Sequence, residues 1–315
     1  MPTPHPVRAA PSIPGPRMDH RFFSLPLLLA ALLPACGAGD SAVAGAALGA
    51  ATARETTEET ATKVCAQGPT VEGIDVSYYQ PRVDWTAAKK SGVSFAFLRV
   101  SDGASFLDPE FASSWPAAGK AGVLRGPYQF FRPGEDPIAQ ADLLIAAIRA
   151  QGGLQPGDIP PVLDVEVTDD VPVATLRAGM RRWLERVEAA FGRRPLIYTS
   201  PGFWDGLGAE ATFARYPLWV AHWDTPCPGV PGAWTEWTFW QTTDHAEIPG
   251  VPGLVDRDRF NGSLADLRAF TGAAEPAPSK PRPPPKARPA AKPRARPHAR
   301  KWPWPAALPW PLLWK

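Results

Sequence analysis

Four acidic residues carry the chemistry that this chain's residue types and spacing suggest. The segment Pro161-Val162-Leu163-Asp164-Val165-Glu166-Val167 sets two carboxylates two positions apart in an otherwise apolar run. In a β-strand, positions i and i+2 point to one side, so Asp164 and Glu166 are expected to share a face, with Leu163, Val165 and Val167 on the other. Two like charges on a buried face are costly unless chemistry uses them. Their closeness raises one pKa, which a general acid working near neutral pH requires. Asp75, in Gly73-Ile74-Asp75-Val76-Ser77, is a third acid, at a strand end; Asp256, in Val255-Asp256-Arg257-Asp258, is a fourth, after the last strand. Glycosidic hydrolysis needs one protonated and one ionised carboxyl across the scissile bond. Taken singly, each acid has a plainer reading. Asp164 and Glu166 would suit a salt-bridged or exposed pair, Asp75 a helix N-cap or hydrogen-bonding anchor, and Asp256 with Asp258 a turn or salt bridge.

The elements that must hold these acids follow from the surrounding pattern. From Pro69 to about Phe270, short apolar runs alternate with amphipathic stretches, as in an α/β domain. Strands are expected over 73–77, 94–101, 124–131, 161–167, 195–200, 218–223 and 237–242. Most are continuous apolar runs, which suits a parallel sheet buried on both faces. Residues 175–192 read as a helix, with Leu176, Met180, Trp183, Leu184, Val187 and Phe191 on one stripe and Gly192 at its C-terminal end. Residues 137–150 read as another. After Leu218 the helical signal fades and strands follow one another, so an incomplete (β/α) barrel is expected. Active sites of such barrels gather at the C-terminal ends of the strands.

Other chemistries find no support. His222 and His245 belong to no cluster with metal-ligand spacing, and there is no Ser-His-Asp motif, phosphate loop or dinucleotide fingerprint. No metal or cofactor is expected. The net charge of +2 by itself points to no partner.

The ends of the chain differ from its middle. Residues 22–33 are apolar but short for a membrane span, which suits a signal peptide, with Met18 as an alternative start. Leu33-Pro34-Ala35-Cys36 is similar to a lipobox, which would make Cys36 a lipidated N-terminus; the alternative is plain cleavage near Ala35 or Ala38. On either path the protein is exported to the cell envelope or beyond. Cys65 and Cys227 then form either a disulfide or two free thiols. Residues 1–36 are thus a signal segment, 37–67 a flexible linker of Ala, Gly, Thr and Glu, 68–273 the folded domain and 274–315 a disordered tail. The tail alternates Lys and Arg with Pro and ends in Trp302, Trp304, Trp310 and Trp314. It reads as a solvated spacer or as a contact with anionic envelope polymers or a membrane surface. Nucleic acid is not expected as a partner, and a monomer is.

Together the segments resemble the family 25 glycoside hydrolases, the Chalaropsis-type lysozymes, from about Val71 to Phe270. The similar pieces are Gly73-Ile74-Asp75-Val76-Ser77 with Gln80 and Asp84-Trp85; Phe95-Ala96-Phe97-Leu98-Arg99-Val100-Ser101-Asp102-Gly103 with Asp108-Pro109-Glu110-Phe111; Gly126-Pro127-Tyr128-Gln129-Phe130-Phe131-Arg132-Pro133; Leu163-Asp164-Val165-Glu166; Leu196-Ile197-Tyr198-Thr199; Leu218-Trp219-Val220-Ala221-His222-Trp223; Trp237-Thr238-Phe239-Trp240-Gln241; and Gly253-Leu254-Val255-Asp256-Arg257-Asp258-Arg259-Phe260-Asn261-Gly262. The resemblance implies a (β/α)5β3 barrel that cleaves the β-1,4 bond between N-acetylmuramic acid and N-acetylglucosamine in peptidoglycan. Glu166 would be the acid and then the base. Asp164 would serve as nucleophile or steady the 2-acetamido group, and Asp75 and Asp256 would complete the floor. Tyr128, Phe130, Tyr198 and Trp223 become candidates to line a sugar groove, with core packing as the alternative for each. Arg99 and Gln241 would bind substrate or support the acids. Relatives often carry Tyr-His-Phe where this chain has Tyr128-Gln129-Phe130; the middle residue should point away from Tyr128, with little effect on catalysis. A wall-binding protein without turnover, or a glycosidase acting on another N-acetylated polymer such as chitin, are the competing readings.

Overall fold

The structure, a computed structural model, describes residues 61–273. The expected signal segment with Cys36, the expected linker up to residue 60 and the basic tail from residue 274 lie outside the described residues. The linker expected to run to residue 67 ends sooner. Strand β1 (Thr62–Lys63) pairs with β9 (Gly229–Val230), Cys65 is disulfide-bonded to Cys227, and Trp237 Nε1 donates to Val64 O at 2.7 Å. Small apolar residues mixed with Thr62, Lys63 and Gln67 concealed this segment; a covalent bond and backbone pairing hold it, and Val64 and Ala66 pack against the core.

The barrel strands are β2 (Thr70–Val76), β3 (Phe95–Asp102), β5 (Leu124–Phe130), β6 (Val162–Asp164), β7 (Leu196–Thr199), β8 (Leu218–Ala221), β10 (Phe239–Ala246) and β11 (Val255–Asn261). They lie in the order β2-β11-β10-β8-β7-β6-β5-β3, and β3 pairs back onto β2, so eight strands close into a barrel-like sheet. A short β4 (Phe106–Leu107) adds to β3. Pairings from β2 through β10 are parallel, whereas β11 is antiparallel to both of its neighbours.

The helices are α1 (Trp85–Lys90), α2 (Phe111–Lys120), α3 (Pro137–Ala150), α4 (Val173–Phe191), α5 (Pro201–Gly206) and α6 (Leu264–Phe270). Two match the sequence expectation closely. Helix α3 starts on Asp136, whose side chain accepts from Ile138 N, with Pro137 in the first turn. Helix α4 stops at Gly192, which takes the left-handed conformation (φ 65°). Its stripe of Leu176, Met180, Trp183, Leu184 and Val187 is fully buried.

Alternation along the strands separates two apolar layers. Outward residues such as Leu98, Leu163 and Val220 pack with Leu144, Met180 and Trp183 of the helices. Inward residues such as Phe97, Tyr128, Val162, Tyr198, Trp219 and Phe239 fill the barrel. Phe97 stacks on Trp219 with centroids 4.1 Å apart. Glycine makes room for these rings: a Cβ on Gly73 would lie 2.4 Å from the Phe95 ring, and one on Gly126 would lie 2.8 Å from Phe97. Packed rings at this level make the barrel a solid plug, so a site can form only at its ends.

Two strand expectations need correction. The segment expected as a strand over 161–167 has only three strand residues, Val162–Asp164, and leaves the sheet before Glu166. Val255–Asn261, in which Asp256 with Asp258 by themselves suited a turn or a salt bridge after the last expected strand, form the eighth strand. Its interior positions are Asp256, Asp258 and Phe260 and its exterior ones include Arg257 and Arg259, so it lacks the continuous apolar run that marks the other strands.

Candidate active site

The acids meet at the end of the barrel where the parallel strands finish. Asp75 is the penultimate residue of β2 and Asp164 the last of β6, with Glu166 two residues beyond. Because β11 runs the opposite way, its first residues lie at this same end. Asp256 is there the direct register partner of Asp75. Asp258, two residues on, shares the inward face one step deeper.

Their environments differ. Asp75 and Asp164 are almost fully buried, and Asp258 is completely so. Burial pushes the Asp75 carboxyl well above the usual carboxylate range, assisted by the charges of Asp256 and Asp258 and opposed by the Gln241 amide. Asp164 is raised first by burial and then by Glu166, while Arg99 pulls it back. One Asp164 oxygen, Oδ1, is buried and has no hydrogen-bond partner.

Glu166 departs from the expected buried face, since its side chain is open to solvent. It nevertheless lies in a recess, where the surrounding protein and the Asp256 charge raise its carboxyl to about 7. The exposure and the shift agree if water reaches the group from one side only. Asp256, half-buried, is raised to about 6 chiefly by burial. A group close to half-protonated at neutral pH beside anionic neighbours can give and take a proton.

The supporting side chains form two sets. Gln241 Nε2 donates to Asp75 Oδ2 at 2.8 Å. Gln241 Oε1 accepts from Tyr198 Oη at 2.8 Å and from Trp223 Nε1 at 2.9 Å. Just past Gln241 the β10–β11 register shifts, a bulge of the kind that re-aims side chains beside functional sites. The second set is cationic. Arg99 pairs with Asp108 at 3.0 Å under the rings of Tyr78, Tyr79 and Phe106. Arg132 pairs with Asp102 at 2.6 Å and stacks on Phe130. Both guanidinium groups oppose the rise in the Asp164 and Glu166 carboxyls.

The expected groove residues separate by exposure. Trp223 lies beyond the end of β8 and is 45 % exposed at the rim. The strand expected to reach Trp223 ends at Ala221. Phe130 is half-buried under Arg132. Tyr128 and Tyr198 are buried edge-on against Trp219, and Tyr198 presents its hydroxyl to Gln241. Arg99 and Gln241 are also buried and engaged with protein groups. Gln129 points away from Tyr128 as expected. It accepts from Trp183 Nε1 on α4 at 2.6 Å and donates to Ser101 Oγ at 2.6 Å.

Sequence reasoning passed over Asp258, Trp219 and the Asp102–Arg132 pair. The alternation Asp256-Arg257-Asp258-Arg259 was the available signal: two acids on one face of a strand and two arginines on the other.

Comparison with known proteins agrees with this geometry. Residues 74–251 match the profile of glycosyl hydrolases family 25. The chain is 36 % identical over 215 residues to Lysozyme M1 of Streptomyces globisporus, covering 64 % of this chain and 71 % of that one. It is 33 % identical over 215 residues to the N,O-diacetylmuramidase of Chalaropsis sp, covering 63 % and 98 %. The crystal structure of the bacterial lysozyme from Streptomyces coelicolor superposes with a TM-score of 0.60 at 34 % identity, over 64 % of this chain and 97 % of that one. With carboxylates from separate strands gathered at one barrel end and a family profile spanning most of the folded domain, the chain belongs to glycosyl hydrolases family 25.

Proposed function

We propose that the protein is an exported lysozyme that hydrolyses the β-1,4 bond between N-acetylmuramic acid and N-acetylglucosamine in peptidoglycan. The observation that carries this reading is the convergence of Asp75, Asp164, Glu166 and Asp256 at one end of the barrel, with Glu166 the acid most open to solvent. The named relatives are lysozymes and muramidases. We read the barrel as (β/α)5β3, since α1 to α5 each follow one of the first five barrel strands and β8, β10 and β11 come after them.

Glu166 protonates the glycosidic oxygen as the bond breaks, then removes a proton from the incoming water. Asp164 meets the developing positive charge at the anomeric carbon, either by bonding to it or by steadying the neighbouring acetamido group. Its unpartnered Oδ1 suits both routes, because a buried acceptor left free in the protein is available to a substrate group. Asp75 and Asp256 hold sugar hydroxyls and orient Asp164. Trp223 and Phe130 line the groove rim, and Tyr128 and Tyr198 its floor.

The disulfide between Cys65 and Cys227 supports an oxidising compartment and so export. Lipidation at Cys36, with the basic Trp-bearing tail resting on anionic envelope polymers, would keep a monomeric enzyme near its substrate. Digestion of purified peptidoglycan, read by mass spectrometry, tests the activity. Soluble fragments with new reducing ends on N-acetylmuramic acid are expected, and Glu166→Gln should lower turnover by roughly 10²–10⁴-fold with the fold intact. Fragments with reducing N-acetylglucosamine, or faster cleavage of chito-oligosaccharides, would contradict it.

A further inference from the structure

Glu166 sits two residues beyond the end of β6, so something other than strand pairing must hold it. On its N-terminal side the anchors are backbone bonds. Asp164 O accepts from Phe131 N at 2.9 Å, and Val165 N donates to Tyr198 O at 2.9 Å. On its C-terminal side the chain turns back. Val171 N donates to Thr168 O at 3.0 Å, and Asp169 and Asp170 take left-handed backbone angles, φ 46° and 57°. Two successive non-glycine residues in that region cost energy that other contacts must offset.

Those contacts come from the turn between β5 and α3. Asp169 Oδ2 accepts from Gly134 N at 3.3 Å, and Asp169 Oδ1 lies 3.7 Å from Arg132 Nη1. The segments touch there, since a Cβ on Gly134 would lie 3.5 Å from the Cβ of Asp169. Arg132 is itself held from several sides. Its Nε and Nη2 donate to the two oxygens of Asp102 at 2.6 and 2.9 Å, and its guanidinium lies 4.3 Å from the centre of the Phe130 ring. Its backbone N–H donates to Gln140 Oε1, and its carbonyl accepts from Gln140 Nε2. A bidentate pair fixes the plane of a guanidinium, so Nη1 meets Asp169 from a fixed mount. A partly exposed ion pair contributes little to stability by itself. Here the pair, the amide contact and the turn act together on a segment only three residues from the acid.

We propose that Asp169 is a positioning residue for Glu166: bound to Arg132 and Gly134, it pins the segment after β6 to the β5–α3 turn and so fixes where the Glu166 carboxyl stands at the barrel mouth. Its effect on catalysis rests on Glu166 being the acid of the proposed lysozyme. The titratable and charged groups around Glu166 are Asp164 at the end of β6, Asp256 on β11, Asp102 and Arg99 on β3, Arg132 after β5 and Tyr198 on β7. Burial in the recess is the largest cause of the rise in its carboxyl to about 7. A segment released from its tie admits water around Glu166, and the carboxyl falls toward the ordinary glutamate value.

The test compares Asp169→Gly, Asp169→Ala and Asp169→Asn in the full chain. Glycine adopts the left-handed turn freely but lacks the tie. Alanine lacks the tie and disfavours the turn. Asparagine tolerates the turn and keeps an acceptor for Gly134 N. The glycine and alanine variants are expected to lower kcat on peptidoglycan about tenfold or more, with KM within about twofold of the wild type. Their activity should also decline at lower pH than that of the wild type. Asparagine should stay within about threefold of the wild-type kcat and keep the decline in place. Carbon-13 NMR titration of the glutamate carboxyls follows the same group without turnover, with the Glu166 signal identified by its loss in Glu166→Gln. Its midpoint should be about 7 in the wild type and lower in Asp169→Gly. A glycine variant with wild-type kcat and pH profile would overturn the proposal, because Asp169 would then serve the turn alone. So would a loss carried by KM alone, an asparagine variant as impaired as alanine, or a Glu166 midpoint unmoved in Asp169→Gly. The kinetic arm needs the lysozyme activity, but the titration does not. A chain inactive on peptidoglycan would sink that activity and leave the titration to decide whether Asp169 holds Glu166 in place.

Discussion

Gln241 ties Asp75 to the groove rim: one end of its amide donates to the Asp75 carboxylate at 2.8 Å, and the other receives Tyr198 and Trp223. A single planar group thus sets the position of a buried acid and of an exposed ring. Its orientation leaves no freedom to flip, since the oxygen must face two donors and the nitrogen a carboxylate.

Replacing Gln241 with Leu removes all three bonds while keeping the volume. A hydrogen bond to a charged group is worth about 1.5–3 kcal/mol, so kcat/KM on peptidoglycan should fall roughly 10- to 100-fold. The loss should include a rise in KM, because Trp223 is no longer anchored at the rim. Steady-state kinetics on soluble muropeptides would check both effects, and unchanged kinetics would remove Gln241 from the site.

The pH dependence of activity follows from Glu166. A general acid must be protonated, and its carboxyl is raised to about 7. Activity should therefore decline as the pH rises past about 7, and the residual activity of Glu166→Gln should lack that decline. A wild-type rate still climbing at pH 9 would argue against Glu166 as the acid.

The same shifts act on stability. A carboxyl whose folded-state pKa is raised binds protons more tightly in the native state than in the unfolded chain. Its contribution is fully present below the unfolded values near ~4 and is lost as the pH climbs through about 6 for Asp256 and about 7 for Glu166. Thermal melts from pH 4 to 8 should show Glu166→Gln gaining on the wild type as the pH rises. A difference that stays constant with pH would contradict the shift.

Gln129 should matter for folding and little for catalysis. It joins Trp183 of α4 to Ser101 of β3 within the buried layer outside the barrel. Gln129→Leu strands the Trp183 indole N–H, at a cost of about 1–3 kcal/mol, measurable by urea denaturation. Turnover per folded molecule should stay near that of the wild type.

The Cys65–Cys227 bond closes a loop with a sequence separation of 162 residues. Serine at either position should reduce stability by about 2–5 kcal/mol, and a reductant should bring the wild type down to the same level. Equal stability under oxidising and reducing conditions would count against the bond.

Much of this molecule could be read along the chain. Apolar runs marked most barrel strands because those strands are buried on both faces, and the stripe ending in Gly192 marked α4 to within two residues. Asp164 and Glu166 were visible as acids that a buried strand would not otherwise tolerate. Three features needed the fold. β11 was hidden because Asp256 and Asp258 inside and Arg257 and Arg259 outside break the apolar run, leaving only Phe260 as an interior apolar residue. The seven residues from Ala61 to Gln67 were hidden because a disulfide and a strand pair hold them. The depth order of the acids depended on closure of the barrel. Residue spacing says which side chains share a face, but how much water, and which partners, each carboxyl keeps depends on strands up to 187 positions apart, the separation of Glu72 and Arg259. That is why Glu166 emerged at the open mouth and Asp258, an ordinary turn residue by local pattern, became the most deeply buried charge-bearing group of the site.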